Sequence, residues 1–187
     1  MTSTPVVMLI GKTHSGKTTF GRLLKERVAD LVVLETDTIA VFLREHFPEV
    51  AFVDDREHTG KFEKVSLKFL LFQNIFERAL EIDTSLMLSN SNMWKEGRKV
   101  LLEECKKTKR HTIGIFFDFP IETLKKRVED SWRDKRVLRT SRDFPELLER
   151  QANRMQTPDS SEFDEFYVVQ TQSEYDMLLQ DLAKKLS

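Results

Sequence analysis

The stretch from Val6 to Thr19 reads Val-Val-Met-Leu-Ile-Gly-Lys-Thr-His-Ser-Gly-Lys-Thr-Thr, and it decides the fold of this chain. Within it, Gly11 to Thr18 has the spacing Gly-x-x-x-x-Gly-Lys-Thr directly after an apolar, β-branched run. Glycine permits backbone angles that other residues avoid, so successive N–H groups can turn inward around a polyphosphate, which the N-terminus of the next helix also attracts. The pattern therefore predicts a phosphate-binding loop between the first strand and the first helix.

Individual positions of this loop have predicted roles. Lys17 is expected to reach the β- and γ-phosphates of a nucleotide, and Thr18 to offer its hydroxyl to Mg²⁺. His14 is expected to contribute its backbone, with its side chain pointing away from the phosphates. A chance match in a glycine-containing turn is the alternative, but the strand before the loop and the amphipathic stretch after it favour nucleotide binding. The residues predicted to bind the nucleotide are Gly11, His14, Ser15, Gly16, Lys17, Thr18 and Thr19.

Composition and charge indicate one globular domain over residues 1–187, of which 40% are hydrophobic and 33% charged. Lys and Arg number 30 against 31 acidic residues, so no overall field attracts nucleic acid or anionic lipid, and any polyanion site must be local. No apolar run approaches the roughly 20 residues that span a bilayer, and no charged leader precedes the first strand. These features predict a cytoplasmic protein.

The sequence predicts neither a reactive thiol nor a metal site built from cysteine or histidine ligands. Cys105 is the only cysteine, which excludes an internal disulfide or a cluster of thiolate ligands. Its amphipathic helical surroundings are more typical of a small packing residue than of a nucleophile. The four histidines have no spacing that would place two on one helix turn as metal ligands.

Short β-rich runs alternate with helical patterns, which predicts an α/β fold with a five-stranded, doubly wound parallel sheet. The predicted strands are 6–10, 31–35, 85–89, 112–117 and 166–169. The predicted helices are 17–29, 38–46, 61–82, 94–107, 120–133, 144–156 and 173–186. Helix-start signals are Pro120, Asp143 three residues before Glu146, and Ser173 three residues before Asp176. The broad apolar stripe of 61–82 is expected to be core rather than a surface for stacking bases.

Residues that follow the strands are candidates for chemistry, because ligands of open parallel sheets bind at the carboxyl ends of the strands. Two roles are open for Asp37, which follows the second strand. It is a helix N-cap or a base that accepts the proton of an incoming hydroxyl, and the two roles are compatible. Arg44 lies seven residues later on the same helix face. It is a candidate for contacting an anionic acceptor, and the alternative is a solvated surface residue.

After the third strand, the sequence reads Ser89-Asn90-Ser91-Asn92. Many phosphate-loop enzymes have an Asp there that holds the water shell of Mg²⁺, and neutral side chains predict weaker support for the metal. Asn92 and Arg98 are candidates for contacting the substrate or the transferring phosphoryl group. The alternative is a polar turn followed by a solvent-facing arginine.

A basic segment from Arg133 to Arg142 contains five cations and one acid in ten residues. A charge run is usually a solvated face, but this one follows the fourth strand and its helix, where nucleotide kinases carry a mobile lid. We favour a lid over 133–143, with Arg136 and Arg139 as candidates for stabilising charge in the transition state. The acidic patch of Asp159, Glu162, Asp164 and Glu165 is expected to pair with basic surface or to cap a turn.

With these parts in order, the chain resembles the small phosphate-loop kinases grouped with the kinase domains of phage and bacterial polynucleotide kinases and, more distantly, zeta toxins. The resemblance rests on the loop, Asp37, the Ser-Asn-Ser-Asn stretch with Arg98, the Asp118-Phe-Pro120 turn and the Arg-rich segment. It implies a three-layer α/β/α P-loop NTPase fold with sheet order 2-3-1-4-5, Asp37 as general base and a lid arginine. Ala40 stands where polynucleotide kinases carry an arginine that grips the acceptor's phosphate, which weakens the case for nucleic acid.

The leading hypothesis is an ATP-dependent phosphotransferase that uses Mg²⁺ and a hydroxyl acceptor, either a polynucleotide 5′-hydroxyl or a small nucleotide or sugar. The second is a module that binds ATP, or hydrolyses it slowly, and changes its affinity for a partner. An antibiotic kinase is a further alternative that these residues do not separate from the first.

Overall fold

A five-stranded parallel sheet organises the structure, a computed structural model that describes residues 4–51, 66–132, 138 and 141–186. The strands are β1 Val6–Gly11, β2 Val32–Leu34, β3 Leu86–Leu88, β4 Thr112–Phe117 and β5 Glu165–Val169. Their order is β2-β3-β1-β4-β5, and every neighbouring pair is parallel. The predicted fold class and the sheet order implied by the resemblance are therefore confirmed.

Helices connect successive strands close to where the sequence predicts them. They are α1 Lys17–Lys25, α2 Thr36–His46, α3 Leu67–Glu81, α4 Lys95–Lys107, α5 Ile121–Glu129, α6 Phe144–Arg154 and α7 Gln172–Leu186. Residues 61–65, which begin the predicted helix 61–82, lie outside the described residues. Within the described ranges, no helix combines the length and apolar character that crossing a bilayer requires.

Two hydrophobic cores cover the two faces of the sheet, because successive side chains of a strand point to opposite faces. Val7 and Leu9 of β1 pack with α1, α5, α6 and α7, whereas Met8 and Ile10 pack with α3 and α4. Cys105 lies in the second core without solvent exposure, and burial raises the pKa of its thiol to about 12. It is a packing residue, as the sequence predicts.

The apolar stripe of α3 is only partly core. Phe72 and Phe76 are buried, but Phe69, Leu70 and Ile75 are 43%, 44% and 43% exposed. The expectation that the broad apolar stripe is core is therefore wrong for one side of the described part of this helix. One side packs on the sheet, and aromatic surface remains on the other.

Helix starts depend on local side-chain hydrogen bonds. Asp143 accepts a bond from the Glu146 N–H (3.0 Å), as predicted. For α7 the predicted pair was wrong by two residues: Thr171 Oγ1 accepts from the Glu174 N–H (3.3 Å), and Glu174 Oε2 accepts from the Thr171 N–H (3.0 Å). This reciprocal arrangement satisfies N–H groups that the first turn leaves without helical partners.

The acidic patch has structural partners, as expected. Asp159 caps the short 3₁₀ turn Ser160–Glu162, and Asp164 Oδ2 accepts bonds from the Thr112 N–H and hydroxyl, both at 2.8 Å. Glu165 binds His111 (2.7 Å) and Lys185, which ties β5 to α7 and to the start of β4. The contacts of Asp164 and Glu165 lie at the end of the sheet away from the phosphate-binding loop.

Candidate functional site

The predicted loop turns sharply between β1 and α1 at positions with positive φ. Gly11 has φ 156° and Gly16 has φ 96°. A Cβ at Gly11 would lie 2.8 Å from Ser15 Oγ and 3.0 Å from the Phe117 carbonyl oxygen, whereas one at Gly16 would lie 3.2 Å from the Tyr175 ring. Both glycines are therefore required by conformation and by the close approach of neighbouring groups.

Lys17 folds back over this loop. Its Nζ donates to the carbonyl oxygens of Gly11 (2.8 Å) and Lys12 (2.7 Å) and to Ser15 Oγ (3.1 Å). The ammonium group thus lies within the curve of the loop, beside the first turn of α1. A cation held there, together with the positive end of a helix, is suited to bind the phosphates of a nucleotide.

Glu35 is a site residue that sequence reasoning missed. Thr18 Oγ1 donates to Glu35 Oε1 at 2.6 Å, Thr38 Oγ1 donates to Oε2 at 2.9 Å, and Ser89 Oγ lies 3.5 Å from Oε1. The sequence directs attention to an acidic residue after β3, whereas the acidic residue of the structure, Glu35, directly follows β2. Its position at a strand's carboxyl end was the available signal.

The residues around Thr18 fit Mg²⁺. The Thr18 hydroxyl and the Glu35 carboxylate are oxygen donors 2.6 Å apart. Mg²⁺ prefers oxygen ligands and usually combines one or two carboxylates with phosphates and water.

Asp37 lies in the first turn of α2, not at its N-cap. The N-cap is Glu35, and Asn90 Oδ1 accepts from the Thr36 N–H (2.8 Å) and hydroxyl (2.9 Å) to fix the start of the helix. The N-cap interpretation of Asp37 is therefore wrong. The half-buried carboxylate instead lines the same cavity as Lys17 and Thr18.

Asn92 and Arg98 make internal contacts that hold strand ends and loops together. Asn92 Nδ2 donates to the carbonyl oxygens of Leu9 (2.7 Å) and Leu88 (3.3 Å). The side chain of Arg98 has no solvent exposure and binds both carboxylate oxygens of Glu162, at 2.8 and 2.9 Å. Arg98 also donates to the backbone carbonyl of Asn92 (3.0 Å). The solvent-facing alternative for Arg98 is wrong, and a substrate contact by either residue stays a prediction that this geometry does not favour.

Arg44 lies in the last turn of α2 and does not line the cavity. The residues of α2 that line the cavity near it are Val41, Phe42 and Glu45. Its predicted contact with an anionic acceptor therefore gains no support from the described cavity wall. Arg136 and Arg139, the lid candidates, lie outside the described residues. Arg142 is exposed and lies 3.5 Å from Asp143, at the start of α6.

Arg127 of α5 is a further cation beside the loop that sequence reasoning missed. Its Nη1 donates to the His14 carbonyl oxygen (3.3 Å), and its guanidinium lies 4.2 Å from the centre of the Phe119 ring. Burial lowers the pKa of this guanidinium from its usual value. The sequence signal was an arginine near the end of the helix that follows β4.

Side-chain contacts connect the loop to residues on both sides of the Arg-rich segment. His14 contacts Thr13 Oγ1 through Nδ1 (2.9 Å) and Ser131 Oγ through Nε2 (2.8 Å). Gln151 Oε1, on α6, accepts from the Thr13 N–H at 2.6 Å. The loop is therefore attached to the end of α5 and to α6.

A cavity of about 1790 Å³ opens at the carboxyl edge of the sheet, and its wall includes the loop, Glu35 and Asp37. Helices α5, α6 and α7 contribute Arg127, Arg150, Arg154 and Tyr175 to this wall, whereas the lining residues of α2, α3 and α4 include four phenylalanines and four carboxylates. Ligand sites typically measure about 300–1,000 Å³, so the cavity has room for two ligands side by side.

Comparisons with known proteins identify the fold. No family model and no curated protein matches the chain. Among solved structures, it is similar to a putative kinase from Chloroflexus aurantiacus (TM-score 0.69, 17% identity, 100% of this chain and 97% of that one). It is also similar to Chaetomium thermophilum Kti12 in complex with ADP-AlF3 (TM-score 0.64, 13% identity, 98% and 100% covered).

A third similar structure is Mycobacterium tuberculosis APS kinase in complex with AMPPNP and APS (TM-score 0.57, 14% identity, 100% and 99% covered). The likeness in all three cases extends over nearly the whole of both chains. Identities of this size establish the fold alone. The chain has a P-loop kinase-like fold.

Proposed function

We propose that this protein is an ATP-dependent phosphotransferase that moves the γ-phosphate of ATP to a hydroxyl group. The observation that carries the proposal is that Asp37 and the phosphate-binding loop line one cavity. The loop amides and Lys17 bind the β- and γ-phosphates, as the geometry of the loop and the kinase-like fold support. Thr18 and Glu35 would hold Mg²⁺, which neutralises charge on the phosphates when bound.

Asp37 acts as the base. It accepts the proton of the acceptor hydroxyl as the hydroxyl oxygen bonds to the γ-phosphorus and the bond to the β–γ bridging oxygen breaks. Negative charge that develops on the departing ADP lies next to the Lys17 ammonium. Arg136 and Arg139 remain the predicted lid cations, and Arg127 is a described cation beside the loop.

Substituting Asp37→Asn tests this function. We expect kcat for phosphate transfer to fall by about 10²–10⁴-fold, because the amide cannot accept the proton, while ATP affinity stays unchanged. Transfer is measured with γ-labelled ATP and panels of nucleosides, sugars, nucleotides and 5′-hydroxyl oligonucleotides, and affinity by calorimetry. Asp181→Asn, on the exposed face of α7, is the control. Intact ATP binding with transfer to no acceptor would count against the proposal.

A second candidate is a module that binds ATP or hydrolyses it slowly to regulate a partner. Ala40 favours it, because this buried, uncharged residue stands where polynucleotide kinases carry an arginine that grips the acceptor's phosphate. A partner affinity that changes with ATP and is insensitive to Asp37→Asn would support this candidate over catalysis.

A further inference from the structure

Helix α6 presents one face to the cavity. Leu147, Arg150, Gln151 and Arg154 line it, at the spacing i, i+3, i+4 and i+7 that places side chains on one side of a helix. Arg154, the last residue of α6, is exposed, and no carboxylate among the described residues pairs with it. Because a guanidinium stays charged in proteins, the cavity wall holds a cation here that a ligand can reach.

Hydrogen bonds fix the end of α6 against the segment that follows β3. The Gln156 N–H donates to the Met93 carbonyl oxygen at 3.0 Å. The buried guanidinium of Arg98 donates to the carbonyl oxygens of Asn92 and Gln156, both at 3.0 Å, and so joins the two segments. Arg154 lies just before this junction, and its backbone is therefore held in place before a ligand binds.

The position of Arg154 is on the side of the loop where the acceptor binds in the proposed function. β3 lies between β1 and β2, so the segment that follows β3 lies between the phosphate-binding loop and Asp37. Gln151, one turn before Arg154, contacts the loop through the Thr13 N–H (2.6 Å). Arg127 belongs to α5, which follows β4 on the opposite side of β1. Arg154 is thus placed near the hydroxyl acceptor and next to the loop.

The carboxylates of α2, α3 and α4 that line the deeper part of the cavity are distant from this edge of the sheet. Helices α3 and α4 lead into the amino ends of β3 and β4, so both begin at the carboxyl edge and run away from it. The lining carboxylates near the far ends of the three helices are Glu45, Glu77 and Glu104. Each lies roughly 14 Å along the axis from the first residue of its helix. An anion bound at Arg154 therefore stays at the edge, away from these three groups.

We propose that the acceptor carries an anionic group, a phosphate or a carboxylate, and that Arg154 binds this group and selects the acceptor. The inference rests on the proposed function. A guanidinium binds either group through two parallel N–H bonds. Trp94, which is 49% exposed and lines the same cavity, offers an apolar surface for the rest of the acceptor. Arg154 binds the acceptor, whereas Asp37 acts on its hydroxyl.

Calorimetry with three matched probes tests this inference on the full-length protein with Mg²⁺ and a non-hydrolysable ATP analogue. The probes are phenyl phosphate, phenylacetate and the neutral 2-phenylethanol. We expect one of the two anions to bind about tenfold more tightly than 2-phenylethanol, the size of effect that a hydrogen bond to a charged group produces. The tighter of the two identifies the anionic group as phosphate or carboxylate. Equal binding of all three probes, or binding of none, would overturn the inference.

Substitutions of Arg154 assign the preference to this side chain. Arg154→Gln should abolish the preference for the anion, and Arg154→Lys should keep part of it, because the charge remains but the paired N–H bonds are lost. The control Arg78→Gln, in an exposed pair with Glu81 and outside the cavity lining, should keep the full preference. Affinity for the ATP analogue should be unchanged in all three variants. A lower affinity for the analogue with the probe preference intact would assign Arg154 to the nucleotide and contradict the inference.

The kinetics of transfer provide a second readout once an acceptor is found. Arg154→Gln should raise KM for that acceptor by about tenfold and leave kcat unchanged, because a group remote from the reacting atoms contributes equally to the ground state and the transition state. A fall in kcat with an unchanged KM would contradict the inference. Absence of transfer to any hydroxyl would instead contradict the proposed function, because the probe preference is measured without transfer.

Discussion

At the residue scale, Glu35 shows how the fold creates a site that sequence spacing does not reveal. The sequence identified Lys17 and Thr18 because their spacing is local, and the structure brings Lys17 into the curve of the loop. Glu35 lies 17 residues from Thr18, and the two side chains meet only because β2 and the loop end at the same edge of the sheet. The sequence does not reveal the internal contacts of Asn92 and Arg98, because their partners, Leu9 and Glu162, are also distant in sequence.

The substitution Glu35→Gln is expected to raise the Mg²⁺ concentration needed for half-maximal ATP binding by about 10–100-fold. The amide keeps the size of the side chain but removes the negative charge next to Thr18 Oγ1. The measurement is a Mg²⁺ titration of ATP affinity by calorimetry. Glu26→Gln, in an exposed pair with Arg22, is the control. An identical Mg²⁺ dependence in both variants would exclude Glu35 from the metal site.

At the scale of elements, patterns within one segment were predictable, whereas contacts between segments were not. The alternation of strands and helices follows from local apolar periodicity, and Asp143 caps α6 because the capping bond spans only three residues. The sequence does not distinguish the exposed side of α3 from its core side, because a wide apolar stripe contains no information about what covers it. Thr171 and Glu174 satisfy the same local rule as the predicted pair two residues later, so the sequence alone does not choose between them.

The buried pair of Arg98 and Glu162 connects α4 to the 3₁₀ turn before β5. Burial opposes the charge of Glu162, but hydrogen bonds from Arg98 and Asp159 outweigh it and lower the pKa of this carboxyl. Glu162→Gln is expected to destabilise the fold by about 3 kcal/mol, because it leaves the Arg98 charge buried without its partner. Urea denaturation measures the change. Glu26→Gln should leave the midpoint unchanged, and an equally small effect of Glu162→Gln would show that the pair does not stabilise the fold.

At the scale of the whole molecule, the order of strands came from the resemblance and not from local patterns, because periodicity within a strand does not specify its neighbours. Once β1 lies in the centre with β3 and β4 beside it, the carboxyl ends converge and the cavity follows. The opposite end of the sheet is held by polar contacts around Glu165. These contacts predict how the stability of the domain depends on pH.

The bond from Lys185 lowers the pKa of Glu165 from 4.5 to about 2, with further bonds from His111 and Tyr167. A carboxyl whose pKa is depressed in the folded state stabilises the fold above its unfolded pKa, and this stabilisation is lost as the pH falls through the folded pKa. Glu165→Gln should therefore flatten the loss of stability between pH 4.5 and 2 relative to the unsubstituted protein. Thermal unfolding across this range measures the slope. Glu149→Gln, exposed on α6, should retain the original slope, and a steep loss in Glu165→Gln would refute the assignment.

The bonds from Thr13 to Gln151 and from His14 to Ser131 have an energetic consequence for both helices that flank the Arg-rich stretch. A ligand that competes for the Thr13 amide must release the glutamine of α6, and reciprocally a displaced α6 frees that amide for the ligand. Occupancy of the loop and the position of α6 are therefore thermodynamically linked, whichever of them changes first. Such a ligand would use part of its binding free energy to break the bond between Thr13 and Gln151.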